Sequence, residues 1–329
     1  MTDQRESNRT NAILRVMRDV LRDTWRIFHV LARIMVPMAL IARLLQEAGA
    51  IGALSGLLEP VMAPMRLPGQ MGLVWATAIV VNLYGGLAVF AQVAPGLTLS
   101  AADVTVLTTV LLVAHALPVE ARIAQRAGIR LWPTLLLRMA GAVVLGVAMA
   151  QIFHAGGWLQ EPVRALWQPA PEAQGWAGWT AGQARSLALM FVIMLGLVLF
   201  LRVTERIGLM EAVRRLLSPF LRRLGLGPAA APITVIGMTM GISYGGGMII
   251  EESRTGHMTG RETFHAMNLL NLSHSLFEDS LLMMAVGGHV IGVFGARFAF
   301  TLLVVPLLVR ATRGLSDERF ARLFLCRAG

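Results

Sequence analysis

The stretch SHSLFEDS, residues 273–280, places a histidine, a glutamate and an aspartate within a strongly apolar part of the chain. If residues 264–286 form one helix, polar side chains recur at spacings of three or four and share one face. The members of this polar stripe are Asn268, Asn271, Ser275, Glu278 and Asp279, with His274 at its edge. Because ionisable groups in membrane helices usually face a cavity or each other, the stripe predicts the wall of a buried solute or ion site.

Two other interpretations use the same residues. A His274–Glu278 pair could simply lock two helices together, although six polar groups on one helix exceed what one lock requires. The cluster could instead hold a metal ion, with His265 or His289 as a further ligand. An acidic group at the centre of a membrane helix costs roughly 2.5–3.5 kcal/mol to insert, and protonation of Glu278 or Asp279 would reduce that cost. A nearby imidazole could relay the proton. Solute, proton and metal therefore remain open.

Motifs of soluble enzymes are missing from the sequence. The chain has no HExxH, GxSxG or paired CxxC, and GISYGGGMIIEES lacks the GK[ST] ending of a phosphate-binding loop. Its single cysteine, Cys326, cannot build a disulfide or an iron–sulfur site alone. We therefore expect no enzymatic activity, no cofactor and no use of ATP, so that any transport is driven by gradients.

Composition indicates a membrane protein. Of the 329 residues, 56% are hydrophobic and only 15% are charged. A helix needs roughly 20 residues to cross a bilayer. Several apolar segments approach that length, near 27–46, 71–94, 104–121, 131–153, 186–204, 231–250, 264–286 and 290–309. The net charge of +10 comes from arginines that lie mostly between these segments, which indicates orientation in a membrane rather than nucleic-acid binding. The predicted fold is an all-α polytopic membrane protein.

The two halves of the chain are predicted to be repeats. Three pairs of residues lie 159 positions apart: His115 and His274, Pro60 and Pro219, and Arg138 and Arg297. The sequence AHALPVE (114–120) matches SHSLFED (273–279), and NLYGGLAVF matches ISYGGGMII. Several matches at nearly one offset indicate a duplication. The two buried-looking arginines either reach the membrane interface or neutralise a carboxylate, and we favour neutralisation for Arg297.

Arginine placement predicts that the repeats are inverted. The 206–225 loop carries five arginines, whereas its first-half counterpart, 47–67, carries only Arg66. The 122–130 loop carries three arginines, and its counterpart, 281–289, carries none. Basic loops stay on the cytoplasmic side. Equivalent loops therefore face opposite sides, as in the inverted repeats of secondary transporters.

Inversion also predicts an unusual segment in each half, because each half must cross the membrane an odd number of times yet shows four apolar segments. The segments 71–94 and 231–250, which contain glycines after a tyrosine, are predicted to be re-entrant or broken. Alternatively, these glycines only let helices pack closely. The substrate site is predicted to combine the polar stripe with residues of these segments and of the first-half motif, namely Asn82, Tyr84, His115, Ser243 and Tyr244.

The predicted organisation has five sections. They are a cytoplasmic amphipathic helix at 1–26, a first membrane repeat at 27–154, an external tryptophan-rich loop at 155–184, a second repeat at 185–310 and a cytoplasmic basic tail at 311–329. The arginine pattern predicts a multi-pass protein of the bacterial inner membrane with both termini cytoplasmic. The expected partners are the lipid bilayer and a small solute or ion, with no nucleic acid; a homo-oligomer is compatible with the sequence.

At YGGG, at MNLLNLSHSLFEDS and in the apolar stretch that follows, the chain resembles the nucleoside-recognition (Gate) domain membrane proteins, which include spore maturation proteins A and B. With a weaker copy in the first half, the resemblance covers most of 27–310. Related Gate segments occur in concentrative nucleoside transporters and in the ferrous-iron transporter, so the resemblance implies transport and leaves the solute open.

We therefore predict a gradient-driven secondary transporter of a small polar solute or ion, with its site between the two repeats. The alternatives are a metal-cation permease and a non-transporting structural or assembly protein of the membrane.

Overall fold

The protein is an all-α polytopic membrane protein, as predicted. The computed structural model describes residues 2–163, 166, 175–223, 226–227 and 230–326, with side chains from Met17 onward apart from a few positions, Ser243 among them. Within these residues β-structure is limited to two isolated bridges. In the same described part of the chain, five helical stretches are long and apolar enough to cross a membrane: Met17–Glu47, Ala101–Arg126, Leu131–Ala155, Gly175–Thr204 and Ile291–Arg313.

The helices of the second half repeat the order of the first. The first half contains α1 (Thr2–Glu47), α2 (Ala50–Met62), α3 (Gly69–Val80), α4 (Leu83–Val93), α5 (Ala101–Val113), α6 (Leu117–Arg126) and α7 (Leu131–Ala155). The second half contains α8 (Gly175–Arg206), α9 (Leu209–Arg223), α10 (Ala230–Met240), α11 (Ile242–Arg254), α12 (Gly260–Ser273), α13 (Glu278–Ala285) and α14 (Arg297–Arg313), the last entered through a π-helical turn at Ile291–Ala296. A final helix, α15 (Asp317–Phe324), follows.

Local details repeat along with the helix order. A capping box of Ser100 and Asp103 starts α5, and a capping box of Thr259 and Glu262 starts α12 at the equivalent place. Both helices are followed by a residue with positive φ, which L-residues seldom adopt. These residues are Ala116 at 45° and Ser275 at 46°. The two halves therefore share one backbone design, down to an unusual conformation at the same position.

Each half contains the predicted broken segment. Helices α3 and α4 pack side by side as a hairpin, and so do α10 and α11. With 12 residues, α3 is roughly 18 Å long, well short of a hydrocarbon core of about 30 Å. The chain reverses at Asn82 in the first half and at Gly241, with φ of 94°, in the second.

The glycines after the tyrosines serve packing, which was the alternative interpretation. They lie inside α4 and α11, three to six residues beyond the breaks at Asn82 and Gly241. A Cβ atom on Gly86 would stand 2.8 Å from the Cβ of Ala78, and Gly245 lies against the backbone of Gly237. Their lack of a side chain therefore lets the two arms of each hairpin touch.

The prediction of one continuous helix over 264–286 is wrong. Helix α12 ends at Ser273, and α13 begins only at Glu278. The intervening residues include Ser275 in the left-handed region, a conformation that an α-helix cannot contain. The polar residues of this segment therefore do not share one helical face. The equivalent gap in the first half separates α5 from α6.

Three predicted boundaries also differ from the structure. Helix α1 runs from Thr2 to Glu47 without a break at residue 26. Helix α8 begins at Gly175, so the last part of the predicted 155–184 loop is helical; Trp167 lies outside the described residues. The predicted tail at 311–329 contains a packed helix, because α15 buries Phe320 against Phe264 with ring centroids 5.4 Å apart.

Helices α5 and α12 enter the protein from opposite ends of α7, which is 25 residues and roughly 37 Å long. The start of α5 lies beyond the C-terminal end of α7, where Ala101 N donates to Glu161 O at 2.9 Å. The start of α12 lies at the N-terminal end of α7, where the rings of Phe264 and Trp132 both contact Phe324. Both helices run inward and stop at the middle of the protein.

Candidate functional site

Two equivalent histidines meet where α5 and α12 stop. His115 follows the end of α5, and His274 follows the end of α12. Their Nε2 atoms lie 3.3 Å apart, and the side chains are 5% and 2% exposed. When equivalent residues of two repeats touch through the same atom, they lie at the axis that relates the repeats. The site is therefore built jointly by the two halves.

The other ring nitrogen of each histidine is used by the helix that precedes it. Nδ1 of His115 lies 2.8 Å from the carbonyl oxygen of Leu111, and Nδ1 of His274 lies 2.8 Å from that of Leu270. A carbonyl oxygen only accepts, so both Nδ1 atoms carry the proton and donate it. In a neutral imidazole, Nε2 then has a free lone pair. Two lone pairs therefore face each other across the axis.

Glu120 from the first turn of α6 joins the histidine pair. Its Oε1 atom lies 3.2 Å from Nε2 of His115 and 3.4 Å from Nε2 of His274. Its other oxygen, Oε2, forms a buried ion pair with Nη1 of Arg138. The carboxylate is thus held from one side by an arginine while its free oxygen points at both imidazoles.

Buried arginines cap the interrupted helices. A helix that stops inside a protein leaves carbonyl groups without partners, and a cation near this end is favourable. Nε of Arg138 donates to Val113 O at the end of α5, and Nε of Arg297 donates to Leu272 O at the end of α12, both at 2.9 Å. Nη2 of Arg297 also donates to the carbonyl of His274 at 2.7 Å.

The two arginines differ in their acidic partner. Arg138 neutralises Glu120, whereas Arg297 forms no ion pair with any carboxylate among the described residues, contrary to the neutralisation that we favoured for it. The residue equivalent to Glu120 is Asp279, whose side chain is one methylene shorter. Nη1 of Arg297 is consequently buried without a hydrogen-bond partner.

Asp279 approaches the histidines instead. Ligand atoms of His115, His274 and Asp279 all lie within 4.8 Å of one another. Its neighbour Glu278 is half-buried and forms no hydrogen bond or ion pair with the rest of the described chain. A His274–Glu278 lock between helices is therefore not formed, because Nε2 of His274 faces His115 and Glu120.

The residues predicted from the hairpin breaks have other positions. The side chain of Asn82 caps α4 by accepting from Gly85 N at 2.9 Å. Tyr84 is half-buried within electrostatic range of Asp279 and Glu278. Tyr244 is 64% exposed, so its side chain does not belong to the buried centre. The side chain of Ser243 lies outside the described residues.

The remaining polar residues of the predicted stripe make contacts away from the histidine pair. Asn268 donates to the carbonyl of Phe264, and Nδ2 of Asn271 lies 3.5 Å from Thr134 of α7. The hydroxyl oxygen of Ser275 lies beside Gly241, 2.8 Å from the place of a Cβ atom there. The further metal ligands suggested by sequence are also elsewhere: His265 bonds Thr312, and His289 accepts from a backbone N–H.

Two central residues, Glu120 and Arg138, were missing from the predicted site. The sequence did contain a signal for them. The interval of 159 residues that relates His115 to His274 also relates Glu120 to Asp279. Because the site lies at the axis between the repeats, both members of such a pair belong to it.

A cavity of about 290 Å³ opens at the end of the protein where α5 begins. Its polar lining includes Arg66, Asp103, His154 and Gln160, and it extends to Val106. Val106 lies two helical turns, roughly 10 Å, before the end of α5. A polar vestibule thus approaches the histidine pair from one end without reaching it.

The fold and this site define a multi-pass membrane protein with a duplicated architecture and a buried polar centre. The chain is 28% identical over 262 residues to the uncharacterized membrane protein YvoD of Bacillus subtilis strain 168, an alignment that covers 78% of this chain and 82% of that protein. No protein-family model matches the chain, so the resemblance to Gate domain proteins stays a hypothesis. No solved structure matches it.

Proposed function

We propose that the protein is a gradient-driven secondary transporter whose site is the buried centre around His115 and His274, between the two repeats. One observation carries this proposal. The interrupted helices α5 and α12 enter from opposite ends of α7 and stop at that centre. Helices broken near the bilayer midplane, with their ends aimed at a substrate or ion, are characteristic of secondary transporters.

The repeats in this proposal are inverted. The antiparallel entry of α5 and α12 supports it, because a two-fold axis perpendicular to these helices lies in the membrane plane. The arginine-rich end, with Arg122, Arg126 and Arg130, then faces the cytoplasm together with both termini. The vestibule lined by Asp103 and His154 opens to the outside.

The cost of burying polar groups favours transport over a structural role. A structural protein would gain from pairing every buried charge, since an unpaired polar group in an apolar environment costs free energy. Here Glu278 has no described partner, and Nη1 of Arg297 and Nη2 of Arg138 are buried without hydrogen bonds. Groups left free in this way are suited to a passing solute or ion.

Proteoliposomes containing a trapped pH-sensitive dye test the proposal. Nucleosides, amino acids and divalent cations are added outside in separate assays, with and without an imposed pH gradient. We expect a protein-dependent change in internal pH for one class. Glu278→Gln should abolish this change while the protein stays folded, because Glu278 has no described partner. Glu252→Gln, which alters an exposed Glu252–His257 pair, is the matched control. Equal dye traces with and without protein for every class would overturn the proposal.

A further inference from the structure

We propose that His115, His274 and Glu120, with Asp279 as a fourth ligand, bind one divalent transition-metal ion of the Zn²⁺ type. Binding is inferred from the geometry of the centre alone. That the ion also crosses the membrane rests on the function proposed above.

The first argument is that three hydrogen-bond acceptors face one another with no hydrogen atom between them. Both Nδ1–H groups are directed to the carbonyls of Leu111 and Leu270, which leaves a lone pair on each Nε2 atom. Oε1 of Glu120 is also an acceptor. Three acceptors packed this closely repel one another unless a positive ion lies between them, and a proton or a metal ion supplies that charge.

The distances among these atoms favour a metal. Zn–N bonds of roughly 2.0–2.1 Å and Zn–O bonds of roughly 2.0–2.2 Å, at tetrahedral angles, separate neighbouring ligand atoms by about 3.3–3.6 Å. The three separations here are 3.3 Å between the imidazoles, and 3.2 and 3.4 Å from them to Glu120. A hydrogen bond would constrain only one of the three distances, whereas a tetrahedral ion constrains all three at once.

The surroundings of the ligands are those of metal sites. Ligating histidines usually donate their second ring nitrogen to a backbone carbonyl or a carboxylate, which fixes the tautomer and the ring orientation. Both histidines do so here. Arg138 orients the carboxylate of Glu120 through the oxygen that does not face the histidines. Asp279, with a ligand atom within 4.8 Å of those of both histidines, is the residue placed to supply the fourth ligand in this proposal.

Charge and ligand type select the class of ion. Imidazole and carboxylate together suit Zn²⁺ and neighbouring transition metals, whereas Ca²⁺ and Mg²⁺ prefer oxygen ligands only. Arg138 offsets the charge of Glu120, whereas Asp279 and the nearby Glu278 form no ion pair within the described chain and supply the remaining attraction for a cation. A site with this moderate net negative charge can bind a cation and still release it.

Zn²⁺ titration of the full-length protein in detergent, with its affinity tag removed, tests the site. Bound metal is counted by mass spectrometry after gel filtration. We expect one Zn²⁺ per chain, and at least a tenfold loss of affinity in His115→Ala and in His274→Ala. His29→Ala removes an exposed histidine far along the chain and should bind as the wild type does. Equal binding by the wild type and a His115→Ala/His274→Ala double variant would overturn the proposal.

A spectroscopic measurement keeps the test independent of how the variants fold. Co²⁺ in a tetrahedral nitrogen and oxygen site absorbs visible light more strongly than octahedral Co²⁺. Wild-type protein should show this absorption, and added Zn²⁺ should remove it; an octahedral spectrum would overturn the four-coordinate site.

The metal-site proposal and the transporter proposal can be refuted separately. If the proteoliposomes move another solute while purified protein binds no Zn²⁺, the metal site is wrong and transport stands. If the protein binds Zn²⁺ but no probe crosses the membrane, including Zn²⁺ followed with a trapped zinc dye, the metal site stands and the transporter is wrong.

Discussion

His115 and His274 are 159 positions apart in the chain, and their Nε2 atoms are 3.3 Å apart in the structure. This contact between equivalent atoms joins the two halves at their common axis. It also explains why neither half could form the centre alone, since each supplies one imidazole. A change in either histidine therefore affects a site that belongs to both repeats.

The glycines of α11 give a prediction with an internal control. Gly245→Ala should destabilise the protein, because the new Cβ would press on the backbone of Gly237, which cannot move aside. Overpacking of this kind typically costs about 1–3 kcal/mol. Gly247→Ala, two residues on, meets nothing within 4 Å and should be neutral or slightly stabilising. Apparent Tm in detergent compares the two; equal Tm values would show that the α10–α11 contact is loose.

The Glu120–Arg138 pair gives a second prediction, on stability. Arg138→Met should cost about 3–5 kcal/mol, because it leaves Glu120 as an unpaired buried charge and also removes the cap on Val113. Adding Glu120→Gln should recover part of the loss. Arg310→Met, at an exposed position in α14, is the control. Unfolding of Arg138→Met, of Glu120→Gln, of the double variant and of the Arg310→Met control measures the coupling, and strictly additive losses would contradict a direct pair.

Cysteine labelling tests the inverted relation directly. Gly96 and Thr255 occupy equivalent positions, both exposed, just before the capping boxes of α5 and α12. In a Cys326→Ser background, a membrane-impermeant maleimide added to cells or spheroplasts should label Gly96→Cys from outside. Thr255→Cys should react only after the membrane is permeabilised. Labelling of both from the same side would exclude inverted repeats.

Much of the architecture could be predicted from the sequence. Hydrophobic segments indicated the membrane helices, and the fixed interval between similar motifs indicated the duplication. The prediction of an odd number of crossings in each half called for broken segments, and the structure contains breaks at Asn82 and Gly241. Each of these properties depends on composition or spacing along the chain, which the sequence displays directly.

The composition of the site could be predicted only in part. Treating 264–286 as one helix placed Asn268, Asn271 and Ser275 with His274, but the chain breaks after Ser273. That break depends on Arg297, a residue distant in sequence, which satisfies the carbonyls of Leu272 and His274. Periodicity within one segment cannot show such tertiary capping. The repeat interval could have placed Glu120 in the predicted site, since it relates Glu120 to Asp279.

The difference between Glu120 and Asp279 gives the last prediction. Asp279→Glu adds one methylene, which should bring the carboxylate to the buried, unbonded Nη1 of Arg297. This would reproduce in the second half the pair that Glu120 and Arg138 form in the first. A hydrogen bond to a charged group contributes about 1.5–3 kcal/mol, so the apparent Tm should rise. Function should fall, because the carboxylate then leaves the histidines: we expect weaker Zn²⁺ binding and slower flux in proteoliposomes. The reciprocal variant, Glu120→Asp, should instead lower the Tm by withdrawing the partner of Arg138. If Asp279→Glu lowers the Tm as well, the longer carboxylate does not pair with Arg297. The missing methylene at position 279 would then not explain why Arg297 lacks an ion pair.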